Sequence, residues 1–219
     1  AAEPVSVAWQ KPDALVTITI TANGKTIASY TEEKPDNLKK PPVKDPMPLA
    51  AEVQSADELY MAGIHVEQYR DPAVMPDAYW RKALERDPDH VPSLLGMAEY
   101  SLRMLHPQQA KRYAERALAQ LTRFNERLEE GGPYYLFARI LEALGEIDRA
   151  YDFYYKASWS GDSVPRAMAR LGCIDLRRGD PKAAADHAQR ALDRDADHPL
   201  APAVLLLAQC ALGLEEEGA

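Results

Sequence analysis

The sequence predicts a mainly α fold: an α-solenoid of about four antiparallel helix pairs plus a final helix, preceded by a small antiparallel β-hairpin or three-strand element. Three observations predict it. Gly145, Gly179 and Gly213 follow one another at intervals of 34 residues. Ala150 and Ala157 return one period later as Ala184 and Ala191, and Ala83 to Ala117 is again 34 residues. Near the start, Asn23-Gly24 separates two β-branched segments, the favoured pair for a two-residue type I′ hairpin. A fixed period of this length marks stacked units that bury a core only between neighbours.

Residues 1–34 form the β element. Val5, Val7 and Trp9 alternate with other residues until Lys11-Pro12-Asp13 breaks the run. With Ala22 opposite Lys25, the hairpin register sets Ile20 against Ile27 and Ile18 against Ser29, while Thr19, Thr21 and Thr26 face the other way. One face is then apolar and requires cover. Three short strands do not make a stable domain alone, so they either end a β-rich domain or dock on the helices, and the order of strands, linker and repeats favours the first. Residues 35–54 hold Pro35, Pro41, Pro42, Pro46 and Pro48 among lysines and aspartates. They read as a semi-extended linker, in preference to a polyproline ligand whose aromatic groove nothing here specifies.

Residues 55–214 carry the repeats. Ser55-Ala56-Asp57-Glu58 offers a capping box, with Tyr60, Gly63 and Val66 as the buried face of the first helix, and Pro76-Asp77 opens the second. The later first helices place apolar or small residues at three and four spacing: Leu94, Met97, Ala98 and Ser101; Tyr134, Phe137, Ala138 and Leu141; Met168, Leu171 and Gly172; and finally Leu205 and Leu206. Each recurring alanine, including Ala110 in the second unit, marks a place where two helix backbones approach closely. Each recurring glycine marks the turn between paired helices, where a left-handed residue is needed. Pro107, Pro133, Pro165, Pro181 and Pro199 sit near helix starts, where proline loses no hydrogen bond. From Ala117 to Ala157 the spacing grows to 40 residues, and Leu121, Phe124 and Leu128 continue a helical stripe through the insertion until Gly131-Gly132 stops it. Residues 215–219 are an acidic tail, expected as a solvated helix end.

These units resemble the tetratricopeptide repeat, whose pattern has a large residue early in the first helix, a small one four later, a turn glycine, then alanines flanking an aromatic. The third unit matches through Tyr134, Ala138, Gly145, Ala150, Tyr154 and Ala157. Asp162 stands where the closing proline is usual, whereas Pro88 keeps it in the first unit. The resemblance spans Ser55 to Leu214 and implies a right-handed solenoid with an inner face lined by first helices. The hairpin, the proline-rich linker, Glu58-Leu59-Tyr60 and the short array together also resemble the C-terminal region of large bacterial proteins whose N-terminal half is a β-rich, mutarotase-like domain. That second resemblance implies that any chemistry lies upstream of Ala1. The start Ala1-Ala2-Glu3-Pro4, without a methionine, reads as an excised piece or a processed product.

Composition narrows the function. The formal net charge of −8 disfavours nucleic acid, which needs a strongly basic surface. No apolar run approaches the ~18 residues of a membrane span, and no signal peptide is seen. Cys173 and Cys210 lack metal or redox spacing and read as thiols in a reducing compartment, hence a cytoplasmic location. His65, His90, His106, His187 and His198 lack ligand spacing. No phosphate loop, readable nucleophile and base, or framed acid pair is present, so neither catalysis nor a cofactor is expected.

Carrying the repeat frame residue by residue places Tyr60, Glu99, Arg103, Tyr135, Arg139, Glu142, Arg166, Arg170 and Arg177 on the inner face. The expected binding residues are Arg103, Tyr135, Arg139, Arg166, Arg170 and Arg177. Guanidinium holds carboxylate in bidentate fashion, so the expected function is a protein-interaction scaffold that takes an extended or C-terminal acidic peptide. The blander reading pairs these arginines with local acids such as Glu142, Asp175 and Asp186. The aromatic group Tyr151, Phe153, Tyr154, Tyr155 and Trp159 reads mostly as packing. A non-catalytic packing or dimerisation region of a larger carbohydrate-active enzyme is the alternative. It makes an upstream β-rich domain or a second copy the partner; a third reading has the hairpin fill the groove itself.

Overall fold

The computed structural model describes residues 16–32, 47–69 and 74–217. The chain divides into two units, residues 1–46 and 47–219. In the first, β1 (Thr17–Ala22) and β2 (Lys25–Thr31) form an antiparallel pair. Asn23 (φ 52°) and Gly24 (φ 76°) are both left-handed, as a type I′ turn requires.

The register departs from expectation one step beyond the turn. Ala22 pairs with Lys25 and Thr21 with Thr26, but a bulge then leaves Ile27 unpaired, so Ile20 meets Ala28 and Ile18 meets Tyr30. The extra residue sorts side chains by polarity: the hydroxyls of Thr17 and Thr31 lie 3.1 Å apart and those of Thr19 and Ser29 3.4 Å. Ile18, Ile20 and Tyr30 are exposed. A bulge thus replaces an isoleucine–serine mismatch with like-on-like cross-strand pairs. The strand expected around Val5 to Trp9 lies outside the described residues, as does most of the expected linker.

In the second unit, among the described residues, helices pair as α1 (Ala56–Tyr69) with α2 (Pro76–Arg86), α3 (Val91–Arg103) with α4 (Pro107–Leu121), α5 (Gly132–Ala143) with α6 (Ile147–Ala157), and α7 (Val164–Arg178) with α8 (Pro181–Leu192). The last, α9 (Ala201–Glu217), packs on α8 and α7. Each helix packs on the next, and α1 with α3 and α3 with α5 also touch, which lines first helices along one face. Residues 47–54, expected to belong to the linker, are instead packed on the first pair. Met47, Ala50 and Val53 lie against Leu59, Ala62, Val66, Tyr79 and Ala83, and the Tyr79 hydroxyl donates to the Pro48 carbonyl at 2.8 Å. A second, larger cluster runs from Ala98 to Ala201.

The period alanines 83, 110, 117, 150, 157, 184 and 191 are all fully buried. Gly145 and Gly179 close their turns at φ 78° and 74°. The amides of Glu146 and Asp180 return to Leu141 and Asp175 carbonyls at 2.9 Å in both cases, the six-to-one bond of a left-handed helix cap. In the second unit Leu105 fills this position at φ 61°, and the His106 amide makes the same bond to Ser101 at 2.8 Å. Gly213 is not a turn residue: α9 runs through it, and the good helix formers Leu214 to Glu217 carry the helix onward. In α9 the buried residues are Ala201, Val204 and Ala208, while Leu206 is exposed, so the frame extrapolated from the earlier repeats slips there.

The insertion also differs from expectation. Helix α4 ends at Leu121, where the Thr122 hydroxyl donates to the Leu118 carbonyl at 2.7 Å, and Asn125 accepts the Arg127 amide at 2.9 Å in a local turn. Phe124 is 92% exposed. The loop is tied down through Ser160, whose hydroxyl donates to the Leu128 carbonyl at 3.0 Å, and through the Gly131 amide, which donates to Asp162 at 3.2 Å. Gly131 ends no helix. It precedes α5, and a Cβ there would lie 2.3 Å from the Ala157 carbonyl oxygen.

One internal similarity was not seen in the sequence alone. Asp87-Pro88-Asp89-His90 and Asp195-Ala196-Asp197-His198 fold alike: each first aspartate accepts an amide two residues on, at 3.1 and 3.2 Å. His90 Nδ1 accepts the Ser93 amide at 3.4 Å, and His198 Nδ1 accepts the Ala201 amide at 3.1 Å. His90 is therefore the N-cap of α3, a role usually filled by shorter oxygen-bearing side chains, while His198, three residues before α9, accepts the first amide of that helix from outside it. The cap leaves His90 Nε2 to donate to Asp57, 3.0 Å away.

Two substitutions test this packing. Ala150→Leu is expected to destabilise by about 1–3 kcal/mol through overpacking of α5 against α6, read by urea unfolding; an unchanged midpoint would place Ala150 outside the helix contact. Leu105→Gly is expected to stabilise by about 0.5–1 kcal/mol, since glycine adopts the left-handed conformation without the Cβ clash. A lower melting temperature in that variant would show that the leucine side chain contributes more than its backbone strain costs.

Candidate functional site

The first helices expose a cavity of about 290 Å³ on their shared face, in the second unit. Its floor is apolar, formed by Trp80, Leu95, Gly96 and Leu136. Trp80 reaches there from α2 because two glycines make room. A Cβ at Gly63 would fall 2.3 Å from the indole nitrogen, and one at Gly96 3.1 Å from the ring. The indole N–H donates to the Tyr60 carbonyl at 3.2 Å, so this buried polar atom is satisfied. Neither glycine nor tryptophan stood out in the sequence as part of the face. Trp80 precedes Ala83 in a second-helix run, and only the fold brings it between α1 and α3.

Of the expected binding residues, three line this cavity: Tyr135, Arg139 and Arg166. Arg166 stacks over the Tyr135 ring at 4.7 Å, donates to the Ser163 hydroxyl at 2.7 Å and lies 3.4 Å from the Asp162 carboxylate. Arg139 is half-buried and, among the described residues, makes no ion pair. Tyr60 and Glu99 also line the cavity, joined by Glu67 and Glu130. Three glutamates thus face two arginines, and the cavity is not the arginine-rich concavity expected from the sequence.

The other three arginines are turned to internal use. Arg103 pairs with Glu67 across α3 and α1. Arg170 and Arg177 converge on Glu142, at 3.0 Å to one carboxylate oxygen and 2.9 Å to the other. The Tyr154 hydroxyl donates to Glu142 at 2.8 Å, and Arg170 Nε approaches that hydroxyl at 3.5 Å. Burial pushes the Glu142 carboxyl up, but the Tyr154 hydroxyl and both guanidiniums outweigh it and hold the group below the usual carboxylate range. Burial, foremost, together with the Glu142 charge raises the Tyr154 phenol despite the lowering influence of Arg170. The local-acid reading is therefore the one realised at Arg170 and Arg177. Glu142, one of the acids that reading named, reaches them from the neighbouring repeat.

Away from this face, His187 Nδ1 and Asp175 lie 2.7 Å apart, both buried, joining α8 to α7. Burial and the Asp175 charge push the Tyr151 hydroxyl beside them up to about 12. The aromatic group divides: Tyr154 is fully buried, Phe153 packs edge-on to Phe137 at 4.7 Å, and Tyr155 and Trp159 are exposed. Among the described residues no cluster of three or more histidines, cysteines or carboxylates is arranged to hold a metal, and no helix is long and apolar enough to cross a membrane.

No protein-family model matches the chain. Among solved structures it is similar to the MamA protein, at 20% identity and TM-score 0.60 over 74% of this chain and 85% of that one. It is similar to PilF of Pseudomonas aeruginosa, at 18% identity and TM-score 0.59 over 75% of this chain and 76% of that one. It is likewise similar to YrrB, a TPR protein with an unusual peptide-binding site, at 17% identity and TM-score 0.59 over 74% and 78%. The fold is that of a tetratricopeptide-repeat solenoid.

The Glu142 network makes a pH prediction. The folded carboxyl lies below its ordinary value, so the unfolded chain binds more protons in the acid range, and stability there rises with rising pH and is lost as pH falls. The contribution is complete above the ordinary carboxylate value and is lost as pH falls through the depressed folded one. Glu142→Gln is expected to flatten this acid limb and to lower stability near neutrality by about 2 kcal/mol, measured by thermal melts from pH 3 to about 7. Equal acid limbs in both proteins would remove Glu142 from that role.

Proposed function

We propose that this chain is a non-enzymatic, cytoplasmic protein-interaction scaffold that holds an extended or C-terminal acidic peptide segment against the face of α1, α3, α5 and α7. Arg139 takes a carboxylate of the ligand, and Tyr135 packs on a neighbouring apolar side chain. The state of Arg139 carries this reading: a half-buried guanidinium in the wall of a cavity, beside Tyr135, with no ion pair among the described residues. Such a group is already partly desolvated, and a carboxylate meeting its planar fork gains two charge-assisted hydrogen bonds. Arg166, fixed over Tyr135, adds a second cation to the same wall. The likeness in fold to YrrB, which has a peptide-binding site, supports a peptide as the occupant. The unpaired thiols of Cys173 and Cys210 accord with a reducing compartment.

A second reading rests on the hairpin. The exposed apolar side chains of Ile18, Ile20 and Tyr30 on one face of a two-stranded sheet suit packing against a further β-rich domain, as the accessory-region alternative requires.

Arg139 and Arg170 separate binding from stability. Peptides selected from a random display library are expected to bind Arg139→Ala at least about tenfold more weakly than wild type by fluorescence anisotropy, with an unchanged melting temperature. Arg170→Ala is expected to lower the melting temperature, because it strips a cation from the Glu142 network. Selected peptides that bind wild type and Arg139→Ala equally would sink the groove reading.

A further inference from the structure

We infer that the cavity is bipolar and selects ligands carrying a lysine or arginine about three residues from the acidic one, the basic side chain bound by Glu99 and the carboxylate by Arg139. This rests on the peptide-groove reading above and specifies its ligand. The observations begin on the acidic side. Glu67 from α1 and Glu99 from α3 both act on the Tyr60 hydroxyl, which burial, foremost, and these two carboxylates together hold in its protonated form above the usual phenol range. Glu67, Glu99 and the half-buried Tyr60 all line the cavity. Glu67 is already paired with Arg103, whereas Glu99 is exposed and makes no ion pair among the described residues.

Arg139, in the same cavity, is equally uncommitted. Glu99 and Arg139 line the same cavity yet do not pair with each other, so neither charge is neutralised within the described structure. They stand on α3 and α5, first helices of adjacent repeats that touch. Packed helix axes lie on the order of 10 Å apart, and a chain in the extended polyproline II form rises about 3.1 Å per residue and repeats its side-chain direction every third residue, which sets the separation at about three residues. The floor of Trp80, Leu95 and Leu136 in the same cavity is apolar and suits an aliphatic or aromatic side chain at one of the two intervening positions. A uniformly acidic peptide would bring like charge against Glu99 and Glu67, and a uniformly basic one would do so at Arg139 and Arg166; each mismatch carries a repulsive cost.

The test uses the full chain and a defined panel of capped nonapeptides read by fluorescence anisotropy: lysine and aspartate three apart in both orders with leucine at the two positions between, together with all-acidic and all-basic controls. One order of the mixed pair is expected to bind at least about tenfold tighter than either control. Glu99→Lys is expected to erase the preference for the basic residue and keep that for the acidic one. Arg139→Glu is expected to do the reverse, and Glu99→Gln should give half the effect of Glu99→Lys in the same direction. Thermal melts confirm that each variant is folded. If Arg139→Glu weakens binding while Glu99→Lys leaves the preference unchanged, the bipolar inference fails and the groove survives. If neither substitution alters binding, or no panel member binds, both fail.

Discussion

Close approach of helix backbones at positions that admit nothing larger than a methyl group is the constraint on which the rest of this structure depends. Ala83, Ala110, Ala117, Ala150, Ala157, Ala184 and Ala191 have no exposed surface. Where even a methyl is too large, glycine is found: at Gly63 beneath the Trp80 indole, at Gly131 against the Ala157 carbonyl, and at Gly172, where a Cβ would lie 2.9 Å from a Val204 methyl. These contacts set the distance between paired helices and between repeats, and so set the width of the face that α1, α3 and α5 share. Interior packing tolerates little added volume, so the position of Arg139 relative to Glu99 follows from residues that never touch a ligand.

Charge is used in two ways on the first helices. Glu142 is mostly buried and receives Tyr154 from its own repeat and Arg170 and Arg177 from the next. A carboxylate in that setting is stabilising only because all three donors reach it; removing one leaves a desolvated charge. Arg139 and Glu99 line the cavity and make no ion pair among the described residues. The same residue type on the same helical face thus serves cohesion in one repeat and, in the function proposed above, recognition in its neighbour, according to what lies one repeat away.

Much of the architecture was legible because it is local in sequence. The period, the turn glycines 145 and 179, the buried alanines and the Asn23-Gly24 turn each follow from residues within one unit. The departures have a tertiary cause. Leu105 takes a left-handed conformation because both flanking helices must still meet at Ala110, whatever the residue at the turn. Helix α4 ends early because Thr122 and Asn125 find local hydrogen bonds that compete with the helix, although Leu121 and Leu128 suggested that it went on. Gly213 was read as a turn from its spacing alone, yet in α9 it lies within a helix. Tyr135, Arg139 and Arg166 were placed on the face from the frame; Trp80, Gly63, Gly96 and Glu67 were not, since their meeting depends on how α2 slots between two first helices.

The two apolar clusters have a dynamic consequence. Leu59, Val66, Tyr79 and Ala83 form a cluster of their own with the segment from Met47 to Val53, while the larger one spans α3 to α9. In a linear array each repeat is held by its neighbours alone, and a terminal pair with a separate, smaller core opens at a lower free energy than the interior. Amide exchange in α1 and α2 would then run ahead of global unfolding. The part of the cavity lined by Tyr60 and Glu67 on α1 would come and go with that opening, while Glu99 on α3 and the basic residues on α5 and α7 stay in place. In the function proposed above, an occupant that reaches α1 would close this fluctuation and spend part of its binding free energy on ordering the N-terminal pair.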